Sequence, residues 1–216
     1  MAVPLDPGSV RPLLRGSFGR EHYLYEATTA STQRLPAPDA PHGTVAVAEH
    51  QTEGRGRLGR KWETPPGRAL LFSVLLHPRP PMALWPELSL VAGDAVAAAL
   101  RAETGVAAAL RHPNDVLIEG RKVAGILPEA SATAGGGVRP GARGLAAVAS
   151  SHPHVVLGIG VNVNQAAEEL PVETPKPPTS LRAETGREWP RPALLAAVLL
   201  ELERRYDDWQ RLHTNR

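Results

Sequence analysis

Residues 49–62 have the sequence Glu-His-Gln-Thr-Glu-Gly-Arg-Gly-Arg-Leu-Gly-Arg-Lys-Trp, and the segments beside this stretch decide the fold class. The Gly-x-Gly-x-x-Gly spacing of residues 54–59 matches the dinucleotide-binding fingerprint, which requires a helix directly after the glycines. Residues 44–48 predict a strand before the loop, and Ala69 to Leu76 predict a second strand after it. Because the loop joins two strands, we exclude a Rossmann arrangement.

The remaining hydrophobic patterns predict an α+β domain. Apolar residues recur at helical spacing from Pro86 to Thr104 and from about Arg191 to Leu212. A helix is also expected from about Gln33, capped by Ser31 or Thr32. Short apolar segments predict six further strands: Tyr23 to Ala27, Ala107 to Arg111, Val116 to Glu119, Lys122 to Leu127, Leu145 to Ser150 and His154 to Val161. This order predicts a mixed, largely antiparallel sheet with helices packed on one side.

Segments without a hydrophobic period are predicted to connect these elements. Residues 1–20 are expected to form a poorly ordered lead-in or one short helix, with no room for a winged-helix DNA-binding domain. We expect a tight hairpin at Glu119-Gly120-Arg121, a mobile connection from Ala134 to Gly144 and a Pro-rich loop from Leu170 to Ser180. Residues 21–216 are expected to form one domain.

The composition is that of an ordinary globular protein. With 216 residues, 42% of them hydrophobic and 21% charged, the chain can bury one full core, which excludes a fibrous or disordered chain. The absence of cysteine excludes disulfides, iron-sulfur clusters and thiolate zinc sites. No apolar run near the roughly 18 residues of a membrane span stands out, and no signal-peptide pattern is found, so we expect a cytoplasmic protein without a membrane partner.

The glycine-arginine loop, residues 54–62, has the chemistry of an anion-binding loop. Its glycines let the backbone approach a ligand, while Arg55, Arg57 and Arg60 supply forked donors for carboxylate or phosphate. Trp62 adds an aromatic plane that can cover a bound ring. The alternative is an Arg-Gly segment that binds RNA or DNA electrostatically. A single occurrence between two strands favours a pocket loop, and a net charge of +2 requires local clustering for nucleic-acid binding.

Three later segments place polar groups or glycines within predicted strands or directly beside them. Asn114 and Asp115 stand in a turn between two predicted strands. They could have a functional role, or they could only cap the turn by local hydrogen bonds. Lys122 follows the hairpin; lysine is rare here, because arginine supplies 21 of the 24 basic residues, yet a surface lysine at a hairpin is common. Gly158 and Gly160 interrupt a strand, which usually marks close approach of a ligand or another backbone.

The order and spacing of these segments resemble the catalytic domain of biotin protein ligases. The resemblance extends from about Tyr25 to Trp209. It is carried by Ser31-Thr32, Gln51 with the glycine-arginine loop, Pro113-Asn114-Asp115-Val116-Leu117, Lys122-Val123-Ala124-Gly125-Ile126-Leu127 and Gly158-Ile159-Gly160-Val161-Asn162. It implies the class II synthetase-like fold of biotin and lipoate ligases.

The resemblance also implies a two-step reaction. Such ligases join the biotin carboxylate to the α-phosphorus of ATP, with magnesium, and release pyrophosphate. They then transfer biotin from biotinyl-5′-AMP to one lysine of the biotin carboxyl carrier domain of acetyl-CoA carboxylase or a related acyl-CoA carboxylase. Magnesium is expected to be held by the ATP phosphates. We expect no DNA partner, and a monomer or weak homodimer.

Roles for individual residues follow from the resemblance by position. It implies that the residues acting in catalysis are Lys122, Arg55, Arg57 and Asp115. It implies that biotin is bound by Ser31, Thr32, Gln51, Gly54, Arg55, Lys122, Gly125 and Gly160. It implies that the nucleotide is bound by Arg57, Arg60, Trp62, Asn114, Gly158 and Asn162.

The chain departs from the family pattern at three places. Arg111-His112 replaces the usual Lys-Trp before Pro-Asn-Asp, and Gln33 stands where Asn is commoner. The sequence ends soon after the last predicted helix, so the small SH3-like barrel of the family is expected to be absent. Three alternatives stay open: a lipoyl or octanoyl ligase of the same fold, a non-catalytic biotin or nucleotide sensor, and a nucleic-acid binder.

Overall fold

A seven-stranded mixed sheet organises the chain in the computed structural model, which describes residues 3–131, 153–172 and 174–214. The strands are β1 (Tyr23–Thr29), β2 (Val45–Gln51), β3 (Ala69–Leu76), β4 (Ala108–Arg111), β5 (Asp115–Ile118), β6 (Arg121–Ser131) and β7 (His154–Asn162). Their order across the sheet is β1-β2-β3-β7-β6-β5-β4. The β1–β2 pair is parallel and every other neighbouring pair is antiparallel.

Two long helices cover one face of this sheet. The helices are α1 (Pro7–Val10), α2 (Leu88–Thr104), α3 (Leu181–Thr185) and α4 (Arg191–Thr214). Helix α2 ends at Gly105, whose φ of 76° gives the left-handed cap that glycine adopts most easily. Helices α2 and α4 pack against each other, α2 also contacts β4 and β6, and α4 contacts β3.

The alternation of side chains along the strands separates a core face from an open face. In β3, Leu70, Phe72 and Val74 belong to the buried cluster that includes α2 and α4, so Ser73 points to the opposite face. By the same alternation, Leu157, Ile159 and Val161 of β7 join the core. The glycines between them, Gly158 and Gly160, therefore lie on the face away from the helices.

The predicted α+β class and largely antiparallel sheet are confirmed. Strand β3 and the two long helices have nearly the expected bounds, and the hairpin occurs with positive φ at Glu119 and Gly120, as a tight type I′ turn requires. The helix expected from Gln33 is only a 3₁₀ turn, Thr32–Arg34; Pro36 follows its cap residue Leu35 and has no amide hydrogen with which to continue a helix. Helix α3 was not predicted. The predicted connection at 134–144 and strand at 145–150 lie outside the described residues.

The lead-in is a packed part of the domain. Of the two expectations for residues 1–20, the structure has the short helix, α1, whose N-cap Asp6 accepts a hydrogen bond from the amide of Ser9. Leu5 and Phe18 are buried in the main core. The amide of Leu5 donates to Glu49 Oε1 at 2.6 Å. The lead-in is therefore anchored to the strand that enters the glycine-arginine loop.

Glu49 also anchors the last helix. The guanidinium of Arg191 donates to Glu49 Oε2 at 2.7 Å and to the carbonyl of Val3 at 2.9 Å. The Arg191 side chain is 2% exposed and that of Glu49 is 13% exposed, so this ion pair is buried. The Arg191–Glu49 ion pair thus joins α4, β2 and the lead-in close to the start of the glycine-arginine loop.

The segment Met82–Thr104 is long and apolar enough, by length and composition, to cross a membrane. No apolar segment of this length was expected from the sequence. In the structure α2 packs against α4 and the sheet, and about half of the segment's most apolar window, 56%, is buried. A core helix has the same composition, so the apolarity of α2 is explained by its place in the fold.

Candidate active site

A cleft opens on the sheet face opposite the helices. It contains about 470 Å³ of open space, including its mouth. The side chains and glycines that line it come from the turn after β1, the glycine-arginine loop, the turn between β4 and β5, and strands β2, β6 and β7. They are Ser31, Thr32, Gln33, Gln51, Arg55, Gly56, Arg57, Trp62, Asn114, Lys122, Gly125, Ile126, Leu127, Gly158, Ile159 and Gly160.

One end of the cleft is a buried polar network. The amide and the hydroxyl of Thr32 both donate to Gln51 Oε1, at 2.7 and 3.0 Å. The Thr32 hydroxyl also shares a hydrogen bond of 2.8 Å with the hydroxyl of Ser73. Ser31 fixes the turn by accepting from the amide of Gln33. These contacts hold hydroxyl and amide groups in place beside the cleft, where a polar heterocycle would find both donors and acceptors.

The glycine-arginine loop closes on itself like a small hairpin. The amide of Trp62 donates to the carbonyl of Gly54 at 2.9 Å, and the amide of Gly56 donates to the carbonyl of Arg60 at 2.7 Å. A Cβ at Gly54 would lie 2.3 Å from the carbonyl oxygen of Trp62, so only glycine fits at this crossing. At the tip, Leu58 has φ of 61° and is 83% exposed.

The indole of Trp62 lies directly on the glycines of the cleft floor. A Cβ at Gly160 would lie 2.6 Å from Trp62 Cε2, and one at Gly125 would lie 3.0 Å from Trp62 Cζ3. The buried indole N–H has no hydrogen-bond partner among the described residues. An unsatisfied buried donor costs about 1–3 kcal/mol, so an acceptor atom on a bound molecule would be stabilising here.

A carboxylate bridges two lysines beside the cleft. Lys122 Nζ lies 2.6 Å from Asp115 Oδ1 and 5.4 Å from the centre of the Trp62 ring. Lys176 Nζ contacts the other oxygen, Asp115 Oδ2. Burial raises the pKa of Asp115, but hydrogen bonds and charge from both lysines outweigh burial and hold that pKa below its usual value. Asp115 is therefore an anion at neutral pH.

Arg55 and Arg57 of the loop have partners that a bound anion could displace. Arg55 forms an ion pair of 3.3 Å with Glu129, and Arg57 donates to Asn114 Oδ1 at 3.1 Å. The side chains of Arg55 and Glu129 are 43% and 29% exposed, and exposed pairs of this kind are worth at most about 1 kcal/mol. A phosphate or carboxylate in the cleft could therefore take over these guanidinium groups.

The structure brings together most of the residues named from sequence, although their roles stay predictions. Eleven line the cleft, namely Ser31, Thr32, Gln51, Arg55, Arg57, Trp62, Asn114, Lys122, Gly125, Gly158 and Gly160. Asp115 lies behind Lys122, and Gly54 lies at the base of the loop. Arg60 is exposed. Asn162 is buried with its amide donating to Thr179 and its oxygen accepting from Gln165, so in this conformation it braces the backbone.

Two residues at the site were not predicted from the sequence, Gln33 in the cleft lining and Lys176 on Asp115. Gln33 covers Gly158, where a Cβ would lie 2.8 Å from the Gln33 amide carbon, and its amide donates to the carbonyl of Leu127 at 3.1 Å. Lys176, one of three lysines in the chain, lies in the predicted Pro-rich loop and was given no role from the sequence. The signal that could have found it was that rarity, since the other two lysines stand in the site segments.

A dedicated metal site is not formed by residues 3–131, 153–172 and 174–214, because no three His, Asp or Glu side chains among them are grouped to hold an ion. The carboxylates nearest the cleft, Asp115 and Glu129, are each paired with cations. These residues do not fit a protein-held magnesium ion. The expected magnesium remains a prediction tied to the phosphates of ATP.

Comparison with known proteins decides the family. The sequence profile of the Biotin/lipoate A/B protein ligase family matches residues 24–136, which is more than half of the chain and includes the loop, Asp115 and Lys122. The chain belongs to this family. Together with the relatives and the solved structure described next, this match confirms the resemblance to biotin protein ligases.

Individual members of the family are similar in sequence to nearly the whole chain. The biotin–[acetyl-CoA-carboxylase] ligase of Mycobacterium tuberculosis is 36% identical over 222 residues, covering 96% of this chain and 73% of that protein. The bifunctional ligase/repressor BirA of Bacillus spizizenii is 34% identical over 209 residues, covering 95% of this chain and 60% of that protein. The chain thus spans about 60% of the length of that relative.

The fold agrees as well. The biotin protein ligase from Aquifex aeolicus, solved in complex with biotin and ATP, superposes with a TM-score of 0.70. It is 34% identical, and the match covers 88% of this chain and 72% of that one. The class II synthetase-like fold of biotin and lipoate ligases, expected from the resemblance, is confirmed.

Proposed function

We propose that this chain activates biotin with ATP and transfers it to a lysine of a biotin carboxyl carrier domain. The observation that carries the proposal is the cleft, in which three cations, Arg55, Arg57 and Lys122, line the same cavity as a buried hydroxyl and amide network. The relatives named as biotin ligases support biotin as the acid, and the Aquifex complex supports ATP as the second substrate.

The first step joins two anions, and the cations of the cleft offset their repulsion. A biotin carboxylate oxygen forms a bond to the α-phosphorus of ATP as the bond to the pyrophosphate oxygen breaks. Lys122 would contact both the carboxylate and the α-phosphate, stabilising the charge that develops there. Arg55 and Arg57 would leave Glu129 and Asn114 for the carboxylate and the phosphates. Magnesium would enter with the ATP phosphates and neutralise part of their charge.

The opposite end of the cleft would hold the ring of biotin. Thr32 and Gln51 are already joined to each other and to Ser73, so their polar atoms are oriented before a ligand arrives. Preorganised groups bind a ureido ring without losing side-chain entropy. Trp62, Asn114 and Gly158 would lie against the nucleotide. Gly125 and Gly160 would admit the ligand close to the backbone once the Trp62 indole moves off them, and Gly158 would do so once Gln33 moves. Roles for Gly54 and Arg60 would require the loop to rearrange, and a role for Asn162 would require its side chain to leave Thr179 or Gln165.

In the second step, the amine of a carrier lysine attacks the acyl carbon of biotinyl-5′-AMP, AMP leaves and the amine loses a proton. Asp115 could orient or deprotonate that amine. Its lowered pKa makes it a weak base, which favours orientation of the amine. A carrier of an acetyl-CoA or related carboxylase, a cytoplasmic location and a monomer or weak homodimer are part of this proposal.

The test is biotin-dependent exchange of pyrophosphate into ATP, followed by mass spectrometry of the purified protein for bound biotinyl-5′-AMP. We expect exchange with biotin and a bound adenylate. Exchange with octanoate but not with biotin would overturn the proposal in favour of an octanoyl or lipoyl ligase. No exchange with either acid, together with intact biotin binding, would indicate a non-catalytic sensor.

A further inference from the structure

Lys176 lies 54 residues after Lys122 in sequence, and both contact the same carboxylate. Asp115 is 12% exposed in its side chain, Lys122 is 24% exposed and Lys176 is 38% exposed. The three groups form a partly buried triad at the edge of the cleft. The proposed reaction uses Lys122 and Asp115, while it leaves Lys176 without a role.

The backbone around Lys176 is fixed to the backbone of Lys122. We call residues 174–180 the strap. The amide of Lys122 donates to the carbonyl of Pro177 at 2.7 Å, and the amide of Thr179 donates to the carbonyl of Lys122 at 2.8 Å. The side-chain amide of Asn162 also donates to the carbonyl of Thr179, at 2.9 Å. The strap thus continues the sheet beside Lys122, which holds Lys176 within reach of Asp115.

The contact between Lys176 and Asp115 changes the net charge of the triad. Asp115 paired with Lys122 alone would form a neutral pair, and the carboxylate would compete with any substrate anion for the ammonium group. With Lys176 on the second oxygen, the triad has a net charge of +1. Asp115 then keeps a partner when Lys122 turns away, so that movement does not leave an unpaired buried carboxylate.

We infer that Lys176 is a positioning residue: by holding the second oxygen of Asp115, it allows the Lys122 ammonium to leave that carboxylate for the substrate carboxylate and α-phosphate. The inference rests on the proposed function, because it concerns the anion that Lys122 contacts during activation. Lys176 itself reaches the reaction through Asp115 and does not need to contact the substrate.

The test is a double-mutant cycle between Lys176→Met and Asp115→Asn, measured by adenylate formation in a single turnover. We expect Lys176→Met to slow adenylate formation by roughly 2- to 150-fold, the range for coupled neighbouring charges, with little change in biotin affinity. Lys176→Arg should restore most of the rate. In the Asp115→Asn background, Lys176→Met should have almost no further effect. Arg204→Met, which removes an exposed cation on α4 paired with Glu201, is the matched control and should change neither rate nor affinity.

A second measurement separates positioning from a purely structural role of the strap. Carbon-13 NMR titration of the Asp115 carboxyl should give a higher pKa in Lys176→Met than in the unchanged chain, with Lys122 and the cross-strand neighbour Arg111 still in place. An unchanged pKa overturns the inference, as does an equal loss of rate in both backgrounds or no loss in either.

If the unchanged chain forms no adenylate, the proposed function fails, and the positioning role of Lys176 fails with it. If the unchanged chain forms adenylate and Lys176→Met forms it at the same rate, the positioning role is overturned and the proposed function stands.

Discussion

Replacing Gly160 with alanine should displace Trp62 without unfolding the sheet. The added Cβ would lie 2.6 Å from Trp62 Cε2 and 2.8 Å from two further indole atoms, whereas carbon atoms in contact are about 3.5–4.0 Å apart. The indole must therefore move back by about 1 Å. Overpacking of this kind costs about 1–3 kcal/mol, so the loop conformation in which Trp62 lies on Gly160 should lose roughly 5- to 150-fold in population.

The assay is fluorine NMR of protein labelled with 5-fluorotryptophan, with the Trp62 signal assigned by Trp62→Phe. In Gly160→Ala we expect this signal to move toward the position of an exposed indole and biotin affinity to fall. Gly125→Ala should have a smaller effect, because its Cβ would lie 3.0 Å from the indole. Gly158→Ala meets Gln33 instead, so it should leave the Trp62 signal unchanged. A Trp62 signal that moves equally in all three variants, or in none, would refute the reasoning.

Three further outcomes are expected. Lys122→Ala should lose adenylate formation by several orders of magnitude while keeping the fold, as checked by circular dichroism, and near-normal turnover would remove Lys122 from the mechanism. Arg191→Met should lower the free energy of unfolding in urea by about 3–5 kcal/mol, because Glu49 is left buried without its cation; a loss under about 1 kcal/mol would mean that Glu49 finds solvent. The lowered pKa of Asp115 should stabilise the fold above about pH 4 and lose this contribution as pH falls through the folded-state value. Urea unfolding of the parent and Asp115→Asn across that range measures it, and a difference that grows on acidification would show the opposite sign.

The sheet was predictable where a strand is buried on both faces or is bounded by clear turns. Strand β3 has the predicted bounds because all eight of its residues, Ala69 to Leu76, are buried, which gives a continuous apolar run. The hairpin before Lys122 was predictable because Gly120 supplies positive φ at no steric cost. Both features are local, so neighbouring residues contain the information that determines them.

Features that depend on distant contacts were not predictable from local pattern. The lead-in lacks a hydrophobic period, yet Leu5 and Phe18 complete a core that only the assembled sheet and α4 create. The contact of Lys176 with Asp115 requires the strap to pair with β6 across more than 50 residues. The cleft residues were found mainly through the family resemblance, because a lining role for Asn114 has no distinctive signal of its own.

The anchoring of the lead-in bears on how the chain can be shortened. A truncation at residue 20 follows the boundary that composition alone suggests, but it would remove the amide and carbonyl that Leu5 and Val3 present to Glu49 and Arg191. It would also uncover the apolar surface on which Leu5 and Phe18 pack, each worth about 1.5–3 kcal/mol of burial. The smallest fragment suited to expression therefore starts ahead of Val3, and a fusion partner is better joined at the exposed end of α4.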